Sequence, residues 1–127
     1  MRLTRQLSDL DKGLAALKDE LGDYWQNTVV MVATEFGRTA RENGTVGTDH
    51  GTGSAMFIAG GAIKGGQVLG QWPGLKNEQL FNGRDLMPTS NTFSWMGAVL
   101  QQHWQLSDSQ IAKIFPQHKA YQQTLLG

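Results

Sequence analysis

The order of the sequence patterns predicts an α/β fold. A leucine-striped segment is followed by two apolar, β-branched runs, 28–34 and 54–61, and then by helical spacing within 89–115. Helix, strand, loop, strand and C-terminal helices is an order typical of α/β proteins. The 127 residues have the length of a single domain or of a fragment of one. Because two or three strands make a poor sheet alone, we expect the chain to be part of a larger fold.

The N-terminal segment, 1–22, is predicted to be an amphipathic helix. Six leucines at alternating steps of four and three would line one stripe of this helix: Leu3, Leu7, Leu10, Leu14, Leu17 and Leu21. Ser8 followed by Asp11 is a plausible internal start signal, and Gly22 is a natural stop. The pattern favours a helix that covers a sheet. The alternative is a coiled-coil or dimer helix, although the heptads last only three repeats and Gly13 weakens them.

The middle of the chain, 28–74, is predicted to contain short strands and a glycine-rich site loop. The run 28–34 is apolar on both faces, which suits a central parallel strand buried between helices. The run 54–61 is expected to be a second buried strand, and 65–74 a short third strand that ends in a Trp-Pro-Gly turn. Eleven of the sixteen glycines lie in this region, so shaped loops should make up most of it.

The C-terminal segment, 89–115, is predicted to form two helices. Apolar side chains recur at helical spacing through 93–104, and Thr89 or Ser90 is the candidate N-cap. A second, shorter helix is expected after the cap residue Ser107 and before the next proline. The polar tail that follows is expected to be partly ordered at most.

The composition excludes several functional classes. Eleven Lys and Arg residues balance eleven Asp and Glu residues, so no overall charge favours nucleic acid or an anionic membrane. The absence of cysteine excludes disulfides and thiol catalysis. The longest apolar run, 29–33, is too short to span a bilayer, and this chain shows no signal peptide. We therefore expect no nucleic-acid partner and no membrane span.

A polar stretch after the first predicted strand contains the candidate site residues. It reads TEFGRTARENGTVGTDHGTG and carries two carboxylates, two arginines and one imidazole: Glu35, Asp49, Arg38, Arg41 and His50. Ligands of open α/β sheets collect beyond the carboxyl ends of strands, and Glu35 directly follows such a strand. Carboxylates with an imidazole suit zinc, manganese or magnesium, and arginines complement phosphate or sulfate esters. The alternative is structural, with turn-capping side chains and a Glu35–Arg38 pair.

Two motifs carry a resemblance to a known family. TEFGRT at 34–39 and GTDHG at 47–51, with NGRDL further along the chain, are specific in combination. They resemble the C-terminal part of the bacterial DUF (domain of unknown function) family 1501, and the similarity covers about 7–116. That family is similar in turn to the alkaline phosphatase and sulfatase superfamily. The resemblance therefore implies the C-terminal, incomplete portion of a doubly wound sheet flanked by helices.

The resemblance also implies a ligand set. In that superfamily a strand ends in Thr-x-Asp-His-Gly, whose Asp and His bind one metal, and a later His binds the second. By chain order this implies Glu35 and His50 as ligands of a divalent metal, with Asp49 as a further candidate. Arg38 and Arg41 would bind the anionic ester. Phe36 stands where the first motif has its His, and phenylalanine cannot coordinate a metal.

The superfamily takes its nucleophile and further acidic ligands from an N-terminal half that this chain does not match. The available hydroxyls have no evident activating base: Thr48, Thr52 and Ser54. The resemblance thus implies a metal-dependent phosphoric or sulfuric ester hydrolase in complete relatives, including exported periplasmic ones, and an inactive isolated chain. We expect the missing N-terminal half or further copies of the chain as partner. The alternative function is a non-catalytic binding or assembly module of the same fold.

Overall fold

Three α-helices and four short strands form the part of the fold that a computed structural model describes, residues 2–127. In chain order they are α1 (Arg2–Leu21), β1 (Val30–Val32), β2 (Gly37–Arg38), β3 (His50–Gly51), β4 (Phe57–Ala59), α2 (Thr92–Trp104) and α3 (Asp108–Ile114). Two short 3-10 helices, Gly22–Asn27 and Asn77–Gln79, lie between them. The mixed α/β content agrees with the predicted order of elements.

The strands pair as two antiparallel ribbons rather than as one parallel sheet. β1 pairs with β4, and Val30, Met31 and Val32 lie opposite Ala59, Ile58 and Phe57. The expectation of a parallel strand at 28–34 is therefore wrong for the described residues. A parallel crossover usually contains a helix, whereas residues 33–56, although long enough for one, contain only the β2–β3 ribbon.

The third predicted strand, within 65–74, is also wrong. No strand forms there, and the side chains of Val68 and Trp72 are largely in solvent. Gly66 and Gly70 have φ angles of 72° and 99°, which turn the chain away from extended geometry. The segment is an exposed loop.

The caps of the two C-terminal helices follow from short polar side chains. Asn91, rather than the predicted Thr89 or Ser90, is the N-cap of α2, because its Oδ1 accepts from backbone N–H groups of the first turn. Ser107 caps α3 as predicted, in a capping box with Gln110. Both predicted helices are therefore present, with one cap displaced.

The core lies between α2 and the C-terminal tail. Ala98 and Val99 of α2 pack with Ala120 and Leu125 of the tail. The Gln102 side chain accepts from the Leu125 N–H at 2.8 Å and so fixes the tail to the helix. Because Leu125 is only 4% exposed, the expectation of a partly ordered tail is wrong. Burial of a few apolar side chains against α2 stabilises the tail, although most of its residues are polar.

α1 begins at Arg2, before the predicted internal start at Ser8, and Met1 lies outside the described residues. Of the other described helices and strands, α1 contacts only the 3-10 helix Gly22–Asn27 that continues it. In the described structure it therefore does not cover either ribbon. None of the described helices combines the length and the apolar character that a membrane crossing needs.

Candidate functional site

The antiparallel pairing brings the two sequence motifs together. Val32 at the end of β1 lies opposite Phe57 at the start of β4, so residues 33–56 leave and re-enter the ribbon at one end. Within them β2 pairs with β3, and Arg38 lies directly opposite His50. Glu35 and His50 therefore belong to the same end of the β1–β4 pair.

Arg38 and His50 present their side chains on one face of the β2–β3 ribbon. Directly opposed residues of an antiparallel pair share a face, with their Cβ atoms about 4.5–5.5 Å apart. The Phe36 ring stacks on the His50 imidazole, with centroids 4.5 Å apart and planes 18° apart. Arg38 donates through one Nη to the Thr48 carbonyl at 3.3 Å. The imidazole thus has an aromatic neighbour on one face and a guanidinium beside it.

An open groove of about 260 Å³ runs along this face. Its lining residues supply one guanidinium, one imidazole and two hydroxyls: Thr34, Phe36, Gly37, Arg38, His50 and Ser54. Within the described part of the chain, no carboxylate lines the groove. A small anion placed there would meet hydrogen-bond donors and a positive charge without an opposing negative one.

A ring of backbone hydrogen bonds supports the groove. The Arg38 N–H donates to the Gly53 carbonyl at 3.0 Å, the Gly53 N–H to the Leu86 carbonyl at 2.9 Å, and the Leu86 N–H to the Arg38 carbonyl at 3.1 Å. The backbones approach so closely that a Cβ on Gly37 would lie 2.3 Å from the Thr52 carbonyl carbon. Only glycine fits at this position, because any other side chain would overlap the backbone of the neighbouring segment.

Asp85 ties the ribbon to the segment that carries the third motif. The Asp85 side chain is 8% exposed, and its carboxylate accepts from the Arg84 Nε at 2.7 Å and from the Thr52 hydroxyl at 2.9 Å. The hydrogen bond from Arg84 holds the pKa of the Asp85 carboxyl below its ordinary value; burial opposes this effect, and the Thr52 hydroxyl adds to it. The Thr52 hydroxyl therefore donates a hydrogen bond that joins the ribbon to this segment. The sequence did not predict this role.

A family model described as "Protein of unknown function (DUF1501)" matches residues 1–115. The chain belongs to the DUF1501 family. Both motifs that form the groove of this DUF1501 protein lie within the matched residues. No curated protein and no solved structure matches the chain.

The predicted anion-binding arginines of the DUF1501 protein differ in their surroundings. Arg38 lines the groove. Arg41 is not among the lining residues and donates to the Asn77 side chain on the neighbouring 3-10 helix. The alternative Glu35–Arg38 pair does not form: among the described side chains, the only salt bridge joins Arg84 and Asp85.

Only one of the three predicted metal ligands of the DUF1501 protein lines the groove. Glu35 is exposed between β1 and β2, His50 lines the groove, and the Asp49 carboxylate accepts from the Asn43 amide at 2.8 Å. No group of three or more His, Cys, Asp or Glu residues in the described part of the chain is placed to hold a metal ion. The assignment of a metal to these three residues stays a prediction.

Proposed function

We propose that the groove between Arg38 and His50 binds the anionic group of a phosphate or sulfate ester. The observation that carries this proposal is the placement of those two side chains opposite each other in a groove without a carboxylate. A guanidinium matches the tetrahedral oxygens of such esters through forked hydrogen bonds. The hydroxyls of Thr34 and Ser54 would complete the donor set.

We further propose that complete relatives are metal-dependent phosphoric or sulfuric ester hydrolases with an alkaline-phosphatase-like, doubly wound sheet. In them the positions of Glu35 and His50 would hold zinc, manganese or magnesium, with Asp49 as a further ligand or as an orienting group. The described residues here do not supply a three-ligand cluster. We therefore assign no hydrolytic step to this chain and expect it to bind the anion without cleaving an ester.

A second candidate function is a non-catalytic binding module of the same family. One observation favours it: Phe36 takes the motif position at which the resembled superfamily has a metal-binding His, and its ring stacks on His50. In this alternative the stack holds the imidazole beside Arg38 for binding. Anion binding would then persist, and metal binding would not.

The anion site is tested by titrating inorganic phosphate and sulfate into ¹⁵N-labelled protein and following backbone amide shifts. We expect the shifts to concentrate at Gly37, Arg38 and His50. Hydrogen bonds to charged groups contribute about 1.5–3 kcal/mol, so Arg38→Ala should weaken binding about 10- to 100-fold. Arg41→Ala is the matched control, since it removes the same side chain outside the groove. Equal losses in both variants, or shifts elsewhere in the chain, would refute the site.

The metal proposal has its own measurement. Metal analysis after incubation with zinc or manganese should find bound metal that Glu35→Ala and His50→Ala reduce. Hydrolysis of p-nitrophenyl phosphate and p-nitrophenyl sulfate is followed in parallel, and no turnover is expected. Anion binding without any bound metal would support the binding module and would exclude Glu35 and His50 as ligands.

A further inference from the structure

The leucine stripe of α1, defined by its six leucines from Leu3 to Leu21, has no partner among the described elements beyond the continuing 3-10 helix. Leu7, Leu10 and Leu17 are 50%, 37% and 40% exposed. Most of the stability of a helix in a protein comes from the packing of its apolar face, and Gly13 near the middle of α1 weakens the helix further. The helix therefore needs a surface that covers the stripe.

The exposed area of the whole chain indicates a large missing contact. The chain exposes 9220 Å² at a mass of 14.0 kDa, whereas a folded monomer of that mass exposes about 6,700 Å². The excess, roughly 2,500 Å², is of the size that one protomer buries in a large obligate homodimer, about 1,000–2,500 Å². A second copy packed on the leucine stripe would bury part of this excess.

The spacing of the stripe is self-complementary. In an antiparallel pair of α1 helices centred on Lys12, every leucine meets a leucine of the other copy: Leu3 meets Leu21, Leu7 meets Leu17, and Leu10 meets Leu14. Each contact joins an a position to a d position of the heptads, as knobs-into-holes packing requires. A two-fold axis through the middle of the pair makes such an interface isologous, so it closes at two copies.

The charges along the helix select the antiparallel direction. In the sequence, the first turns contain two arginines and no acidic residue, whereas the end of the helix and the next residues contain Asp19, Glu20 and Asp23 against the single Lys18. Antiparallel helices place the basic end of one copy beside the acidic end of the other, and they also oppose the helix dipoles. Parallel helices would place like charges together. We infer that α1 is the docking surface for a second copy of this chain, as an antiparallel helix pair.

The first test is the mass in solution, measured by light scattering over a dilution series. The wild type should have twice the mass of 14.0 kDa, about 28 kDa. Leu10→Glu places a carboxylate at the centre of the stripe and should weaken the dimer at least about 100-fold. Ala16→Glu adds the same group on the opposite, exposed face and should change the dissociation constant less than about twofold. Retained amide shifts around Ala98 would show that Leu10→Glu leaves the core folded.

The second test measures the direction of the helix pair by cross-linking of introduced cysteines. Because the sequence contains no cysteine, each introduced cysteine is the only thiol in the chain. Asp11→Cys lies near the two-fold axis and should cross-link to its own copy through a short bismaleimide. Leu17→Cys should not, because its copies would lie about 15 Å apart along an antiparallel pair. Cross-linking of Leu17→Cys alone would overturn the antiparallel geometry. A wild type that stays monomeric throughout would overturn the proposal and leave the stripe for a different partner.

Discussion

Replacement of Gly37 by alanine tests whether close backbone approach builds the groove. The new Cβ would lie 2.3 Å from the Thr52 carbonyl carbon and 2.4 Å from the Gly53 oxygen. Ordinary carbon contacts lie at about 3.5–4.0 Å, so the two chain segments must separate by more than about 1 Å. Overpacking costs about 1–3 kcal/mol, and the lost Arg38–Gly53 hydrogen bond about 0.5–1.5 kcal/mol more. We expect a loss of about 1.5–4.5 kcal/mol in the free energy of unfolding.

Urea unfolding measures this loss of stability. The matched control is Gly44→Ala, in the loop between β2 and β3. A Cβ on Gly44 would meet no atom within 4 Å, so that variant should stay within about 0.5 kcal/mol of the wild type. The amide shifts of Arg38 and His50 should change in Gly37→Ala alone. Equal stability of the two variants, together with unchanged shifts in the ribbon, would refute the reasoning.

Two further predictions concern the core and the Asp85 anchor. Ile111→Ala should cost about 2–5 kcal/mol in urea unfolding, because this side chain is only 2% exposed, whereas Ile114→Ala on the same helix, at 47% exposed, should cost less than about 0.5 kcal/mol. Since the pKa of Asp85 is lowered in the folded state from its ordinary 3.8, its contribution to stability is present above that value and is lost as the pH falls through the folded pKa. Asp85→Asn should lower stability at neutral pH and reduce the further loss below about pH 4, as measured by unfolding across that range; a variant with the full acid-dependent loss would contradict the assignment.

Local sequence signals predicted the helices well. The leucine repeat predicted the helix now seen over Arg2–Leu21, and Ser107 predicted the start of α3 through its side-chain oxygen. The same reasoning named the wrong cap for α2, since hydroxyl and amide side chains near one helix start compete and only geometry selects Asn91. Such signals act within one turn, so they are readable without the rest of the fold.

Strand direction could not be read from the sequence. An apolar, β-branched run such as 28–34 predicts a strand, but its composition does not specify its partner. The direction depends on whether the connection crosses over or turns back, and here residues 33–56 turn back as a second ribbon. The buried tail was missed for a related reason, because Leu125 gains its partners from α2 and not from its neighbours.

The sequence named residues that the fold brings close together, but it did not predict their different surroundings. The polar stretch named Arg38 and His50, and the antiparallel ribbon places them opposite each other. It named Arg41 equally, although that side chain donates to Asn77, 36 residues away. Nothing in the local sequence distinguishes two arginines three residues apart. Only the register of the ribbon does so.

Phe36 has a structural role in that register, because its ring stacks on the imidazole of His50. A phenyl ring cannot hold a metal, yet it can stack on an imidazole and fix the plane of that ring. The stack thus places an aromatic ring against His50, which lies opposite Arg38 in the ribbon. Phe36→Leu removes the stack while keeping an apolar side chain, so the ordering of the imidazole can be separated from the charge of the guanidinium. If anion binding depends on Arg38 but not on Phe36, the stack contributes packing alone; if it depends on both, the stack also positions His50 for anion binding.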